Sequence, residues 1–216
     1  MFDAIAGRYD RMNAVMTFGQ ERRWRRIVVD HLEPRPGHTV LDLAAGTGAS
    51  AVPIARAGAS VVACDFSHGM LAVGRREHSE LTFVAGDALR LPFADAAFDA
   101  STISFGLRNV SDVFAALREL ARVTRPGGRL AVLETSAPLS RPLRAGHGWY
   151  VAHVLPRLAR VVTGSREAYS YLAESVDAWP GPHELAGQIG DAGWTGVTWQ
   201  HLMFGAVALH TATRSS

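Results

Sequence analysis

From Thr39 onward the chain alternates short apolar runs with amphipathic or glycine-rich stretches. Alternation of this kind predicts a mostly parallel sheet with helices packed on both faces. The runs Thr39 to Leu43, Ser60 to Asp65, Leu81 to Val84, Phe98 to Ser104 and Gly128 to Glu134 read as strands. Between them, Ser50 to Ala57, Gly69 to Arg76 and Asp112 to Thr124 read as helices, the last with Phe114, Leu117, Leu120 and Ala121 on one face. Pro126-Gly127-Gly128 should end that helix and turn the chain into the fifth strand, because proline cannot continue a helix and glycine tolerates positive φ.

Two stretches lie outside this alternation. Residues 1–38 have a helical pattern that ends in the turn Pro34-Arg35-Pro36-Gly37. Residues 138–182 are too long for an ordinary loop and carry Trp149, Tyr150, Val154, Leu155, Leu158, Tyr169, Tyr171 and Trp179. So much apolar surface needs cover, which a helical lid or a homodimer contact would provide. The whole of 1–216 is expected to be one domain, since 216 residues with 48% hydrophobic content fill one sizeable core.

Composition then removes several functions. All 22 residues of the Lys+Arg count are arginine, so Schiff-base chemistry and a P-loop lysine are excluded. A formal net charge of +2 with no long basic tract argues against nucleic acid as a partner. The densest basic cluster, Arg22, Arg23, Arg25 and Arg26, alternates with Trp24, Ile27, Val28 and Leu32 at helical spacing, the pattern of a solvated helix face. The single cysteine, Cys64, lies in an apolar strand and reads as a core residue. No run approaches the ~18 apolar residues of a membrane span, and the first residues lack the basic-then-apolar pattern of a leader. A cytoplasmic protein is the expectation, and no H-x-x-x-H or Cys/His cluster offers a metal site.

Candidate chemistry starts where the first strand opens into Ala44-Ala45-Gly46-Thr47-Gly48. Small residues there let backbone approach a ligand closely, and the helix that follows offers free N–H groups. The spacing also fits the dinucleotide fingerprint through Gly46, Gly48 and Ala51, with Asp65 positioned for a ribose, so the loop by itself leaves a nicotinamide cofactor open. Asp42, just before the turn, distinguishes the two. An acid there would repel a pyrophosphate but suits the sulfonium and ammonium groups of S-adenosylmethionine (SAM). Gly86-Asp87-Ala88 follows the third strand, where an acid can accept the adenine amine or merely cap a turn. Next come Leu91-Pro92-Phe93, Phe98-Asp99 and Arg125-Pro126-Gly127-Gly128-Arg129, in the order found in SAM-dependent methyltransferases.

Longer stretches carry a more specific resemblance: residues 2–13, Thr102-Ile103-Ser104-Phe105-Gly106-Leu107-Arg108-Asn109-Val110, Tyr171-Leu172-Ala173-Glu174-Ser175 and Val207-Ala208-Leu209-His210. Together they resemble the menaquinone/ubiquinone C-methyltransferase family over nearly the whole chain. Arginine richness and Asp65-Phe66-Ser67 are similar to its actinobacterial branch. The resemblance implies a Rossmann-like class I methyltransferase fold with a mostly parallel seven-stranded sheet. It also implies transfer of a methyl group from SAM to a ring carbon of a quinol, demethylmenaquinol to menaquinol. On these terms SAM is held by Thr47, Asp65 with Phe66 beside it, Asp87-Ala88 and Ser104, in addition to Asp42, Ala44, Gly46 and Gly48. A homodimer and peripheral contact with the inner membrane face are implied partners. The segment His201-Leu202-Met203-Phe204-Gly205 departs from the family, whose members have Asn-Leu-Thr and small residues there. That departure raises a specialised paralogue methylating another phenolic or polyketide-like molecule as the alternative.

For the reaction itself, positioning is the main demand: the nucleophilic carbon must stand about 3 Å from the methyl group in a dry site. Arg108 and Asn109, after the fourth strand, lie at the carboxyl edge where ligands bind in such sheets. A guanidinium is too weakly acidic to act as a base, so Arg108 would stabilise a phenolate or hold a water, with a salt bridge as its structural alternative. Asn109 would bond the second ring oxygen or cap the next helix. Tyr9 would close over the ligand and donate a hydrogen bond. His153, His201 and His210 sit among apolar residues, where core packing is the simpler role.

Overall fold

The computed structural model describes Thr17, residues 19–136, Pro138 and residues 179–216. Within them seven strands form one sheet in the order β3-β2-β1-β4-β5-β7-β6. In chain order the elements are α1 (Glu21–Leu32), β1 (Thr39–Leu43), α2 (Ala51–Arg56), β2 (Ser60–Asp65), α3 (His68–Glu77), β3 (Thr82–Ala85), β4 (Phe98–Ser104), α4 (Val113–Val123), β5 (Thr124–Thr135), α5 (Pro182–Asp191), β6 (Trp194–Leu202) and β7 (Val207–Arg214). Strands β1 to β5 run parallel, whereas β7 pairs antiparallel with β5 and β6 antiparallel with β7. Three of the five expected strands have the boundaries read from the sequence, because fully buried strands are uninterrupted apolar runs with polar ends.

Helices cover both faces and produce two separate cores. One gathers Trp24, Val28 and Leu32 of α1 with Val40, Val61, Phe83 and Leu133. The other gathers Leu117, Leu120 and Val123 of α4 and Leu185 and Ile189 of α5 with Leu41, Ile103 and Val132. On α1 the pattern is as expected: Trp24, Val28 and Leu32 are buried, while Arg22, Arg23 and Arg26 are exposed. On α4 the buried stripe is Ala116, Leu117, Leu120, Ala121 and Val123, but Phe114 is 40% exposed. Phe114 shares the angular face but sits in the first turn of the helix. Asp112 caps α4 by accepting the Ala115 N–H at 2.9 Å, so Asn109 does not have that role.

Pro126-Gly127-Gly128 also behaves differently from expectation. Helix α4 already ends at Val123, and Thr124 pairs with Phe98 before the register jumps to Arg129 opposite Ala100. The motif is therefore an outward bulge within β5. Gly128 is required there, since a Cβ would lie 2.7 Å from the Asp99 carbonyl oxygen and 2.6 Å from Thr124 Cγ2. The expected lid or insert over 138–182 lies almost wholly outside the described residues, as does the part of 1–38 before Thr17.

Candidate active site

Parallel strands place all their carboxyl ends along one edge, and that edge collects the candidate residues. The first loop leaves β1 through Ala44 at φ 53°, Gly46 at φ 58° and Gly48 at φ 91°. Tight contacts explain the small residues: a Cβ on Gly48 would stand 2.9 Å from both Leu81 Cδ1 and Phe83 Cζ. Gly74 of α3 is pressed against the same loop, where a Cβ would fall 2.8 Å from the Thr47 carbonyl oxygen. On the far side a Cβ on Gly106 would meet Ala44 Cβ at 2.4 Å, so the loops after β1 and β4 touch.

Asp65 ties the loop to the neighbouring strand. Its carboxylate accepts the Gly46 N–H at 2.8 Å and the Ser67 N–H at 2.7 Å. Phe66, next in the chain, is 77% exposed, an aromatic face held out over this edge. Strand β3 lies beside β2, and the Gly86 N–H donates to the Asp65 carbonyl at 3.1 Å. Asp87 and Ala88 follow immediately, so Asp65 and Asp87 stand on the same edge at adjacent strand ends. Asp87 Oδ1 accepts the Leu89 N–H at 2.9 Å and caps a short turn. Ser104 closes β4 and is half-buried opposite Leu133.

Asp42 is the electrostatic exception. It lies inside the sheet between Ala63 and Thr102, 1% exposed, with neither carboxylate oxygen hydrogen-bonded. Burial pushes its pKa up to about 7; the charge of Arg25 on α1 pulls it down, and that of Asp65 adds to the rise. A buried carboxylate with no donor is costly unless a cation comes to it. With the glycine cradle and the Asp65 and Asp87 carboxylates along the same edge, these residues fit a ligand that carries positive charge beside a nucleoside. Cys64, opposite Leu43 on β2, is buried, and burial pushes its thiol up to about 12, which makes it an inert core residue.

After β4 a short 3-10 turn, Leu107–Asn109, presents Arg108 and Asn109, both half-buried. Arg108 is not a free cation. Nη1 donates to Glu134 Oε1 at 2.7 Å and to the Phe105 carbonyl at 2.8 Å, and the two side chains are 9% and 1% exposed. Glu134, at the end of β5, was not among the residues singled out from the sequence. A lone acid closing an apolar strand was the available signal. Arg108 Nε is buried without a partner, and the two Nη1 bonds hold the guanidinium in one orientation. His210 takes the packing role: Nε2 lies 2.9 Å from the Pro182 carbonyl, the ring stacks on Trp199 at 6.1 Å, and burial lowers its pKa. Tyr9 and His153 lie outside the described residues.

At the hairpin between β6 and β7, on the same edge, Met203 and Phe204 adopt φ 46° and 56°. Phe204 is 76% exposed. With Phe66 and Phe114 it makes three exposed phenylalanines along the carboxyl edge among the described residues.

Comparison with known proteins adds to this geometry. A family model, described as the ubiE/COQ5 methyltransferase family, matches residues 1–214. The demethylmenaquinone methyltransferase of Paenarthrobacter aurescens (strain TC1) is 53% identical over 214 residues, 99% of this chain and 85% of that protein. That of Mycobacterium marinum is 56% identical over 210 residues, 97% of this chain and 90% of the other. Among solved structures, a SAM-dependent methyltransferase from Thermotoga maritima superposes with a TM-score of 0.66 at 19% identity, covering 98% of this chain and 97% of its own.

Proposed function

Because the chain belongs to the ubiE/COQ5 methyltransferase family, we propose that it uses SAM to methylate a ring carbon of demethylmenaquinol, giving menaquinol. Identity of 53% over 99% of the chain with a demethylmenaquinone methyltransferase is the observation that carries this reading. Bound at the carboxyl edge, SAM would supply an electrophilic methyl group on a sulfonium centre. Asp42 sets a negative charge beneath the loop, where the positively charged end of that ligand would rest. Ala44, Gly46, Thr47 and Gly48 let the backbone approach closely. Asp65 would hold the ribose hydroxyls and Asp87 the adenine amine, with Phe66 and Ala88 beside them and Ser104 at the end of β4.

For the acceptor, Arg108 holds its cation at one place because Glu134 and the Phe105 carbonyl fix the guanidinium. A quinol hydroxyl that gives its proton to a water held beside that group would gain electrostatic stabilisation as charge moves onto the ring. Asn109 is assigned the second ring oxygen, and Tyr9 a hydrogen bond to SAM or to the ring. The three phenylalanines along the edge suit an acceptor carrying an apolar tail, presented by a peripheral encounter with the membrane face from the cytoplasmic side. No helix among the described residues is long and apolar enough to cross a bilayer. A single domain acting as a homodimer completes the proposal. The test is incubation with SAM and a short-chain demethylmenaquinol, followed by mass spectrometry of the quinol. A mass gain of one methyl group is expected; no methylated quinol, with turnover of a different phenol, would overturn the assignment.

A further inference from the structure

Helix α4 faces away from the glycine loop, yet two of its side chains grip the segment that carries Asp87. Glu119 Oε2 accepts the Leu91 N–H at 2.7 Å, and Arg122 Nη2 donates to the Leu91 carbonyl at 3.1 Å. Arg122 Nη1 donates to the Phe93 carbonyl at 2.8 Å and to Asp95 at 2.7 Å. The pair itself closes through Arg122 Nε and Glu119 Oε1 at 2.7 Å. An acid and a base at this spacing ordinarily form a surface ion pair of little consequence. Here both ends of the pair hold the two backbone groups of one residue, and Leu91 is 4% exposed. We propose that Glu119 and Arg122 are positioning residues for the nucleoside end of the cofactor, acting through the backbone of the 87–95 loop.

The reason lies in how short the loop is between fixed points. Gly86 is fixed on the β2 side by its bond to the Asp65 carbonyl, and it has no room for a side chain, since a Cβ would lie 2.7 Å from Cys64 Sγ and 2.9 Å from Pro92 Cδ. Leu91 is fixed on the other side by the pair. Pro92 adds a rigid φ, and Phe93 stands edge-on against Phe98 at 5.0 Å. Only residues 87–90 lie between, and Asp87 folds them into a turn by accepting from Leu89 and, through its carbonyl, from Arg90. With both ends held, the direction of the Asp87 carboxylate is determined. Release of Leu91 would leave that turn attached at one end.

This inference rests on the assignment of Asp87 to the adenine amine, and the test separates the two. Binding of S-adenosylhomocysteine would be measured by calorimetry for the wild type, Arg122→Ala, Arg122→Lys and Glu119→Gln. Arg214→Ala serves as control, because Arg214 also clamps α4, through the Ala121 carbonyl at 2.6 Å, but ties it to Gly193 rather than to the loop. Arg122→Ala is expected to weaken binding about tenfold, with the two conservative variants between it and the wild type. Arg214→Ala should leave affinity within about twofold. Hydrogen exchange at Leu89, Arg90 and Leu91 without ligand should accelerate in Arg122→Ala and, to a smaller extent, in the two conservative variants, and stay unchanged in Arg214→Ala. Unchanged affinity in Arg122→Ala, or an equal loss in Arg214→Ala, overturns the positioning role. No binding by the wild type would instead overturn the cofactor assignment, and the role with it, whatever the exchange rates.

Discussion

Replacing Asp42 by Asn should make the protein more stable and a poorer binder, and the size of the effect should depend on pH. The carboxyl is 1% exposed, neither oxygen is bonded, and burial raises its pKa from 3.8 to about 7. Each unit is 1.36 kcal/mol, so ionising it in the folded state costs on the order of 4 kcal/mol relative to the unfolded chain. The direction follows from the raised value. This group favours folding below the unfolded pKa and loses that contribution as pH rises through about 7. Asparagine carries no such dependence, although an unpaired buried amide has its own cost of roughly 1–3 kcal/mol at every pH. The amide cost therefore cancels when two pH values are compared. Urea unfolding at pH 5 and pH 8 should show the stability of Asp42→Asn relative to wild type rising by about 3 kcal/mol between them. Calorimetry with SAM at pH 8 should show weaker binding by the variant, because the negative charge awaiting a cation is gone. A stability difference that is the same at both pH values would refute the argument, and so would a variant that binds SAM as well as the wild type does.

Other perturbations test other parts of the site. Glu134→Ala leaves the Arg108 guanidinium buried without its counter-charge and should cost about 3 kcal/mol or more in urea unfolding; adding Arg108→Met should recover part of that loss, which a double-mutant cycle would quantify. Gly74→Ala places a Cβ 2.4 Å from the Phe83 ring and 2.8 Å from the Thr47 carbonyl oxygen, so it should lower stability by roughly 1–3 kcal/mol and weaken SAM binding, with Phe83→Leu restoring both in part. Phe204→Asn removes an exposed ring from φ 56° and puts there a residue that tolerates left-handed backbone, so the melting temperature should hold or rise by an amount equivalent to about 0.5–1 kcal/mol. If Phe204 meets the acceptor's apolar tail, the same variant should raise KM for a long-chain demethylmenaquinol and not for a short one.

The parallel strands and most of the helix positions were legible because burial writes itself as uninterrupted apolar runs. The carboxyl-edge residues were legible as well, since Asp65 and Asp87 follow their strands at fixed offsets. Spacing alone leaves a nicotinamide and SAM both open; the charge of Asp42 and the order of the motifs after it favour SAM, and the burial of Asp42 gives that charge its weight. Pairing was much less visible. Arg108 looked like an available cation, but its partner Glu134 is 26 positions away on β5. Nothing local announces a contact between the ends of two neighbouring strands. Likewise Glu119 and Arg122 read as an ordinary helix-surface pair, because a side chain bonding to a distant backbone leaves no periodic trace. Phe114 shares the face read for it and is still 40% exposed, because helical periodicity gives the direction of a side chain and not what covers it.

The charged and glycine-rich motifs spaced along the chain divide between the two edges of the sheet, and the division separates the candidate site from its support. Asp42, Asp65, Asp87, Ser104 and Arg108 gather at the carboxyl edge. Asp99 and the Arg125-to-Arg129 bulge stand at the opposite edge, where Asp99 accepts the Thr39 N–H at 2.6 Å and pairs with Arg125. Arg129 reaches the His31 carbonyl and Glu33, fastening the last turn of α1 to that far edge. The other end of α1 returns to the carboxyl edge, where Trp24 packs on Phe105 with ring centres 5.9 Å apart. One helix thus spans the sheet from the supporting edge to the carboxyl edge, and Arg25, whose charge reaches Asp42, follows Trp24 on it. The bulge motif belongs with the others because, by anchoring α1, it sets how near a fixed positive charge stands to the buried carboxylate.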